Sequence, residues 1–165
     1  MKYESARDKI KSGDLLAWSH RGWRSWYDFK IQMVRFFTRS EYSHVAIAWV
    51  VGGRVFALEA VQPKVRIHPL STLGDFYLLR GYVPWTELTE EIALSKVGEK
   101  YSQLEAVASF FNKSINTKWQ CVKYVWHIAE CAGLKLFGKA TPSNAVQNAL
   151  KDGLALEYID ATDKK

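Results

Sequence analysis

Cysteine is scarce in this sequence, since Cys121 and Cys131 are the only two among 165 residues. Both fall in one predicted helix, and an axial rise of about 1.5 Å per residue separates them too far for a disulfide bond. The sequence therefore predicts two free thiols and excludes a disulfide between them.

Long apolar runs are also lacking. No run approaches the roughly 18 residues that a membrane span requires. The first residues are charged and are followed by a short apolar patch at 15–18, which is not the pattern of a secretory signal. We therefore expect a cytoplasmic protein without a transmembrane anchor.

Apolar and aromatic residues are nevertheless abundant. Hydrophobic residues make up 48% of the chain, which includes seven tryptophans, eight tyrosines and eight phenylalanines. This content excludes a disordered chain, and the length suits one domain with a real core. We expect a single domain over residues 1–165, with an N-terminal arm at 1–12 and a charged tail at 160–165.

Acidic residues are outnumbered, and the formal net charge is +6. The excess is N-terminal, because residues 1–40 hold nine Lys or Arg against four Asp or Glu. A basic region favours an anionic partner such as a wall polymer, a membrane surface or nucleic acid, although solubility alone explains the same charge. No specific nucleic acid is expected as a partner.

The segment at 18–39 interleaves aromatic and basic side chains, and its second half has helical spacing. We interpret it as an amphipathic helix that buries its aromatic side in the core and leaves a solvated basic face. The alternative is a non-catalytic binding module in which these side chains hold nucleic acid or anionic lipid. Strong salt dependence of binding would mark that alternative.

Several functional motifs are missing. The sequence contains no Gly-rich phosphate loop and no Gly-x-Ser-x-Gly elbow. His127, Glu130 and Cys131 could offer metal ligands on one helical side, but no partner pair with zinc-like spacing occurs elsewhere. The sequence therefore predicts neither a metal site nor a cofactor site.

The strongest local pattern is a β-hairpin over residues 40–59. Two apolar stretches joined by Gly52 and Gly53 predict antiparallel strands. His44 then begins the first strand, on the face that carries its alanines, and Glu59 returns near it on the second. An imidazole beside a carboxylate is the orienting half of a nucleophilic triad. The alternative is a surface histidine and a solvated glutamate.

The rest of the chain predicts a mixed α and β structure. Further strands, expected to join the hairpin in an antiparallel sheet, are predicted at 14–18, 65–68, 76–80 and 154–159. Helices are predicted at 86–98, 103–111, 118–133 and 141–150. Thr86 and Thr141 are the predicted N-caps of two of these helices.

Cys121 falls in the first turn of the helix predicted at 118–133. The unpaired N–H groups and the dipole of a helix start favour the thiolate, and the backbone N–H of Cys121 can donate to a developing oxyanion. Cys131 lacks this setting and is predicted to be a small core residue. A buried structural Cys121 is the alternative, and His20 is the main rival to His44 as the base.

These residues carry a family resemblance. An early Gly-Asp-Leu-Leu, then Thr-Arg-Ser-Glu-Tyr-Ser-His-Val-Ala-Ile, then Leu-Glu-Ala and a distant helix-borne cysteine resemble the circularly permuted NlpC/P60 papain-like hydrolases of the YiiX-like group. Permuted members run in the order histidine, acid, cysteine, as His44, Glu59 and Cys121 do. The resemblance spans residues 13–133 and implies an α+β fold with an antiparallel sheet packed against helices.

The resemblance also implies a function. Cys121 would be the nucleophile of a cysteine peptidase or amidase, His44 its base and Glu59 the residue that orients the base. Expected substrates are cell-wall peptides or other small amino-acid or acyl amides, cleaved without a metal or cofactor. Side chains expected to contact the substrate are Tyr42, Trp119, Gln120 and His20.

Overall fold

The protein is described by a computed structural model over residues 1–19, 41–101 and 120–161. Its strands are β1 Leu15–Trp18, β2 His44–Val51, β3 Arg54–Val61, β4 Lys64–Pro69, β5 Phe76–Leu79 and β6 Leu156–Ile159. Within the described residues they form one six-stranded antiparallel sheet in the order β4-β3-β2-β1-β5-β6. The predicted antiparallel sheet is confirmed.

Helices complete the α+β architecture that the sequence predicts. Across the described ranges they are α1 Tyr3–Arg7, α2 Glu87–Ser95, α3 Cys121–Cys131 and α4 Pro142–Lys151, with a short 3₁₀ turn at Leu70–Thr72. The predicted caps are confirmed, since Thr86 and Thr141 each accept a hydrogen bond from a backbone N–H in the first turn of α2 and α4. No helix in these ranges is both long and apolar enough to cross a membrane.

The β2–β3 hairpin forms as the sequence predicts. Gly52 and Gly53 have φ angles of 56° and 70°, the left-handed conformation that a two-residue hairpin turn requires. Val51 therefore pairs directly with Arg54, and Ile47 with Leu58. This register places Glu59 on the same face of the sheet as His44.

The sheet is buried on both faces, which follows from the alternation of its side chains. Val45 and Ile47 of β2 belong to a core that includes α3 and α4. Ala46 and Ala48 belong to a second core on the opposite face, with Ala6 of α1. The prediction that alternate residues of β2 face opposite sides is confirmed.

The N-terminal segment packs on the sheet. Ala6 and Ile10 are buried in the second core, and the ring of Tyr3 meets Phe76 edge to face at 6.3 Å between centroids. Lys2 pairs with Asp160, the first residue of the predicted tail, in an isolated parallel β-bridge of the backbone. The predicted N-terminal arm is therefore helical over Tyr3–Arg7 and packs against the sheet.

Some sequence predictions fall on residues that the structure does not describe. The helix predicted at 103–111 and the amphipathic helix predicted within 18–39 lie there, apart from Trp18 and Ser19. The helix predicted at 118–133 begins at Cys121, because the backbone of Gln120 is extended, with φ −126° and ψ 163°. The helix predicted at 86–98 ends at Ser95, and Lys96 is its C-cap.

Candidate active site

His44 and Glu59 are hydrogen-bonded across the hairpin, as the sequence predicts. Nε2 of His44 lies 2.7 Å from Oε2 of Glu59. Since an ionised carboxylate can accept hydrogen bonds but not donate them, Nε2 carries the proton of this bond. Nδ1 of the neutral ring is then an acceptor that faces away from Glu59. The side chain of Glu59 is 2% exposed, so this carboxylate is buried and not a solvated strand end.

Arg66 is a second partner of Glu59 that sequence reasoning missed. It lies on β4 directly opposite Glu59 in the register of the β3–β4 pair. Its Nε and Nη2 lie 2.8 Å and 2.7 Å from Oε1, so each oxygen of Glu59 has its own cationic or imidazole partner. The sequence did hold a signal for this contact. The alternation at 65–68 predicts a strand, and residues 66 and 59 share one face of the sheet if that strand pairs with the second strand of the hairpin.

These contacts shift the pKa values of His44 and Glu59. Burial disfavours the charged imidazole, but the hydrogen bonds and negative charges of Cys121 and Glu59 outweigh it and raise the pKa of His44 to about 9. Burial likewise acts to raise the pKa of Glu59, while the hydrogen bonds and charges of His44 and Arg66 lower it overall. The geometry therefore favours a protonated His44 beside an ionised Glu59.

Cys121 is the first residue of α3, with Gln120 as the N-cap. The Gln120 side chain makes no capping hydrogen bond to the helix. Cys121 is 8% exposed, and its thiol lies near enough to the His44 ring to raise the pKa of that ring. Nδ1 is the ring nitrogen left for this contact, because Nε2 is used by Glu59.

The contact between Cys121 and His44 is made at the end of the sheet. Cys121 belongs to the core on the α3 side, whereas His44 lies against Trp18, which packs on the other core. His44 is the first residue of β2, and Cys121 is the first residue of α3. The three predicted catalytic residues are therefore brought together by a strand start and a helix start.

Trp18 limits the movement of the His44 ring. The two ring centroids are 5.4 Å apart, with a tilt of 36° between the planes. The backbone carbonyl of Trp18 also accepts hydrogen bonds from the backbone N–H of Ser43 at 2.8 Å and from its hydroxyl at 3.1 Å. The residue before the histidine is thus tied to the neighbouring strand, which restrains the direction of the imidazole.

The residues expected to contact substrate are described in part. Tyr42 is half-buried, and its ring meets Tyr77 edge to face at 5.5 Å. Gln120 is buried, and it directly precedes Cys121 in the sequence. Trp119 and His20 lie outside the described residues, so their expected roles, and the rivalry of His20 as base, stay predictions.

Two further predictions concern the far end of α3. The prediction that Cys131 is a small core residue is wrong, because Cys131 is exposed at the last position of the helix. Both cysteines are free, as predicted. Across the described ranges no three His, Cys, Asp or Glu side chains are grouped to hold a metal ion, and that includes His127 and Glu130.

Comparison with known proteins supports the fold. No family model and no curated protein matches the sequence. The chain is similar in structure to the metalloprotein YiiX from Escherichia coli O157:H7 (DUF1105), with 20% sequence identity, a TM-score of 0.56, and coverage of 87% of this chain and 81% of that one. The likeness shows a YiiX-like fold, whereas the NlpC/P60 assignment and the circular permutation stay predictions.

Proposed function

We propose that this protein is a cysteine-dependent amide hydrolase, with Cys121 as nucleophile, His44 as general base and acid, and Glu59 as the residue that orients His44. The observation that carries the proposal is the position of one imidazole between two partners. Its Nε2 is 2.7 Å from a buried carboxylate, and a thiol at a helix start lies near enough to raise the pKa of the same ring. These are the parts of a nucleophilic triad.

The reaction proceeds in two halves. Sγ of Cys121 attacks the carbonyl carbon, its proton resides on Nδ1 of His44, and the backbone N–H of Cys121 donates to the oxyanion. The C–N bond breaks as His44 gives that proton to the leaving amine, which leaves a thioester on Cys121. A water then attacks the thioester, His44 takes its proton, and the C–S bond breaks to release the acid and the thiolate.

The proposed substrates are cell-wall peptides or other small amino-acid or acyl amides. This expectation comes from the sequence resemblance, and the basic N-terminal region would suit a substrate that belongs to an anionic polymer. The YiiX neighbour is described as a metalloprotein. The described residues of this chain offer no grouped set of ligands for a metal, so no step is assigned to one.

The proposal is tested by comparing the two thiols of the folded protein. Cys131 is exposed and Cys121 is 8% exposed, so accessibility alone would make Cys131 the faster thiol to alkylate. Activation by His44 and the helix start would reverse this order. With limiting iodoacetamide at about pH 6, we expect Cys121 to be labelled at least tenfold faster, as measured by peptide mass spectrometry.

His44→Ala is the matched control for this experiment. It should abolish the preference for Cys121 at mildly acidic pH, because the imidazolium that stabilises the thiolate is gone. Labelling of Cys131 first in the parent, or of both thiols only above about pH 8, would overturn the catalytic assignment. In the same preparations, Cys121→Ala should release no new amines from a peptidoglycan digest or from N-acyl amino acids.

A further inference from the structure

Arg66 belongs to the edge strand of the sheet and reaches across to a buried group of the site. Of the described residues, the charged or titratable groups that face Glu59 are His44 from β2 and Arg66 from β4. The Arg66 side chain is 41% exposed, whereas that of Glu59 is 2% exposed. The guanidinium therefore links a buried carboxylate to the surface.

Both donors of Arg66 act on one oxygen of Glu59. Nε and Nη2 lie 2.8 Å and 2.7 Å from Oε1, and Oε2 alone faces His44. We propose that Arg66 is a positioning residue, which holds Oε1 so that Oε2 stays directed at Nε2 of His44. This inference rests on the proposed function, because an oriented imidazole matters only if His44 moves a proton for Cys121.

The positive charge of Arg66 also stabilises the ionised form of Glu59. When His44 gives its proton to the leaving amine, it becomes neutral and no longer balances Glu59. Arg66 is then the cation that keeps the buried carboxylate ionised, since a guanidinium does not lose its proton in this pH range. Without it, Glu59 would take up a proton at mildly acidic pH and the imidazolium and thiolate would lose their anionic support.

The test measures the pH dependence of Cys121 alkylation in the full chain. Arg66→Gln removes the charge, and Arg66→Lys retains it without the paired donors. Lys64→Gln is the matched control, because Lys64 is an exposed cation two residues earlier on the same face of β4. The acid limb is the low-pH part of the curve of Cys121 labelling rate against pH, where the rate rises with pH. In Arg66→Gln we expect this limb to shift to higher pH by about 1–3 pH units, so labelling at a fixed pH on the limb slows about tenfold or more.

Arg66→Lys should restore the position of the acid limb, while the hydrolysis rate stays below that of the parent with KM unchanged. Lys64→Gln should match the parent in both. An unmoved limb in Arg66→Gln, or an equal shift in Lys64→Gln, would overturn the role of Arg66. Should Arg66→Gln fail to fold, a displaced limb in Arg66→Lys would overturn it equally.

The two proposals can fail separately. If Cys121 is not labelled ahead of Cys131 in the parent, the proposed function is overturned and the positioning role of Arg66 with it. If the parent shows the preference and Arg66→Gln retains the parent's profile, the hydrolase proposal stands and only the role of Arg66 is overturned.

Discussion

Glu59 divides its two oxygens between two neighbours, and this division explains how a buried carboxylate can stay ionised. Oε2 accepts from His44 and Oε1 accepts from Arg66, each at about hydrogen-bond length. An unpaired carboxylate at this depth would be neutral, because burial disfavours the charge. The charge state of His44 therefore depends on a residue two strands away from it.

Glu59→Gln tests whether the charge of Glu59 sets the charge state of His44. Loss of the negative charge should lower the pKa of His44 from about 9 by about 1–2 units, as measured by NMR titration of the imidazole. Turnover of an amide substrate should fall about 100-fold while KM changes little, because an oriented base acts mainly in the transition state.

Glu157→Gln is the matched control for that substitution. Glu157 also pairs with an arginine, since Nε of Arg80 lies 2.8 Å from its Oε1, but the pair is at the other edge of the sheet. The His44 titration should be unchanged in this variant. A similar shift in both variants would mean that His44 responds to overall charge and not to contact with Glu59.

The sequence suffices to predict the His44–Glu59 pair but not the whole site. A two-residue glycine turn sets the register of β2 and β3, so a separation of fifteen residues becomes a contact. Arg66 was not predicted, because its position opposite Glu59 depends on how β4 pairs after a second turn. The exposure of Cys131 was not predicted, because helical periodicity does not tell which turn of a helix is left uncovered.

At the scale of elements, the start of β1 depends on a close approach that only glycine permits. Gly13 has φ +92°, and its N–H donates to Ala48 while its carbonyl accepts from Val83. A Cβ built at Gly13 would overlap the carbonyl oxygen of Val83. This segment thereby connects β1, β2 and the residues after β5.

Comparing the stability of Gly13→Ala with that of Gly98→Ala distinguishes the cost of backbone strain from the cost of steric crowding. Gly98 has a similar φ of +95°, but nothing lies within 4 Å of a Cβ built there. Both substitutions should cost about 1–2 kcal/mol for the left-handed backbone. Gly13→Ala should cost about 1–3 kcal/mol more for overpacking, as measured by urea unfolding. Equal losses would show that the segment moves to accept the methyl group.

Element ends were harder to predict than element identities. Gln120 and Lys118 precede Cys121 in a stretch with helical pattern, yet α3 begins at Cys121 because Gln120 is extended. The N-cap roles of Thr86 and Thr141 were predictable, because a short hydroxyl side chain directly before a helix can accept a hydrogen bond from a backbone N–H of the first turn. At the start of α3 the N-cap residue, Gln120, makes no such side-chain hydrogen bond.

At the scale of the whole molecule, the site should shape how stability varies with pH. The pKa of His44 is raised from 6.5 to about 9, so its contribution is full below about pH 6.5 and is lost as the pH rises through about 9. The pKa of Glu59 is lowered from 4.5, so its contribution is present above that pH and is lost as the pH falls through the lower, folded value. Both contributions are full between roughly pH 4.5 and 6.5.

His44→Gln should remove the alkaline part of this dependence. Between pH 6.5 and 9 the parent should lose on the order of 3 kcal/mol of unfolding free energy relative to the variant. Urea unfolding of the two proteins at matched pH values measures the difference. Parallel curves would show that His44 binds its proton equally well in the folded and unfolded chains.

The chain order of the site has a consequence for the growing polypeptide. His44, Glu59 and Arg66 lie within one continuous three-stranded stretch, and Cys121 follows more than fifty residues later. A ribosome working from the N-terminus therefore adds the proposed base and its carboxylate partner well before it adds the proposed nucleophile. Because α3 packs on strands already made, the approach of Cys121 to His44 is one of the later events of synthesis. Until α3 is made, a nascent chain carries His44 and Glu59 without Cys121.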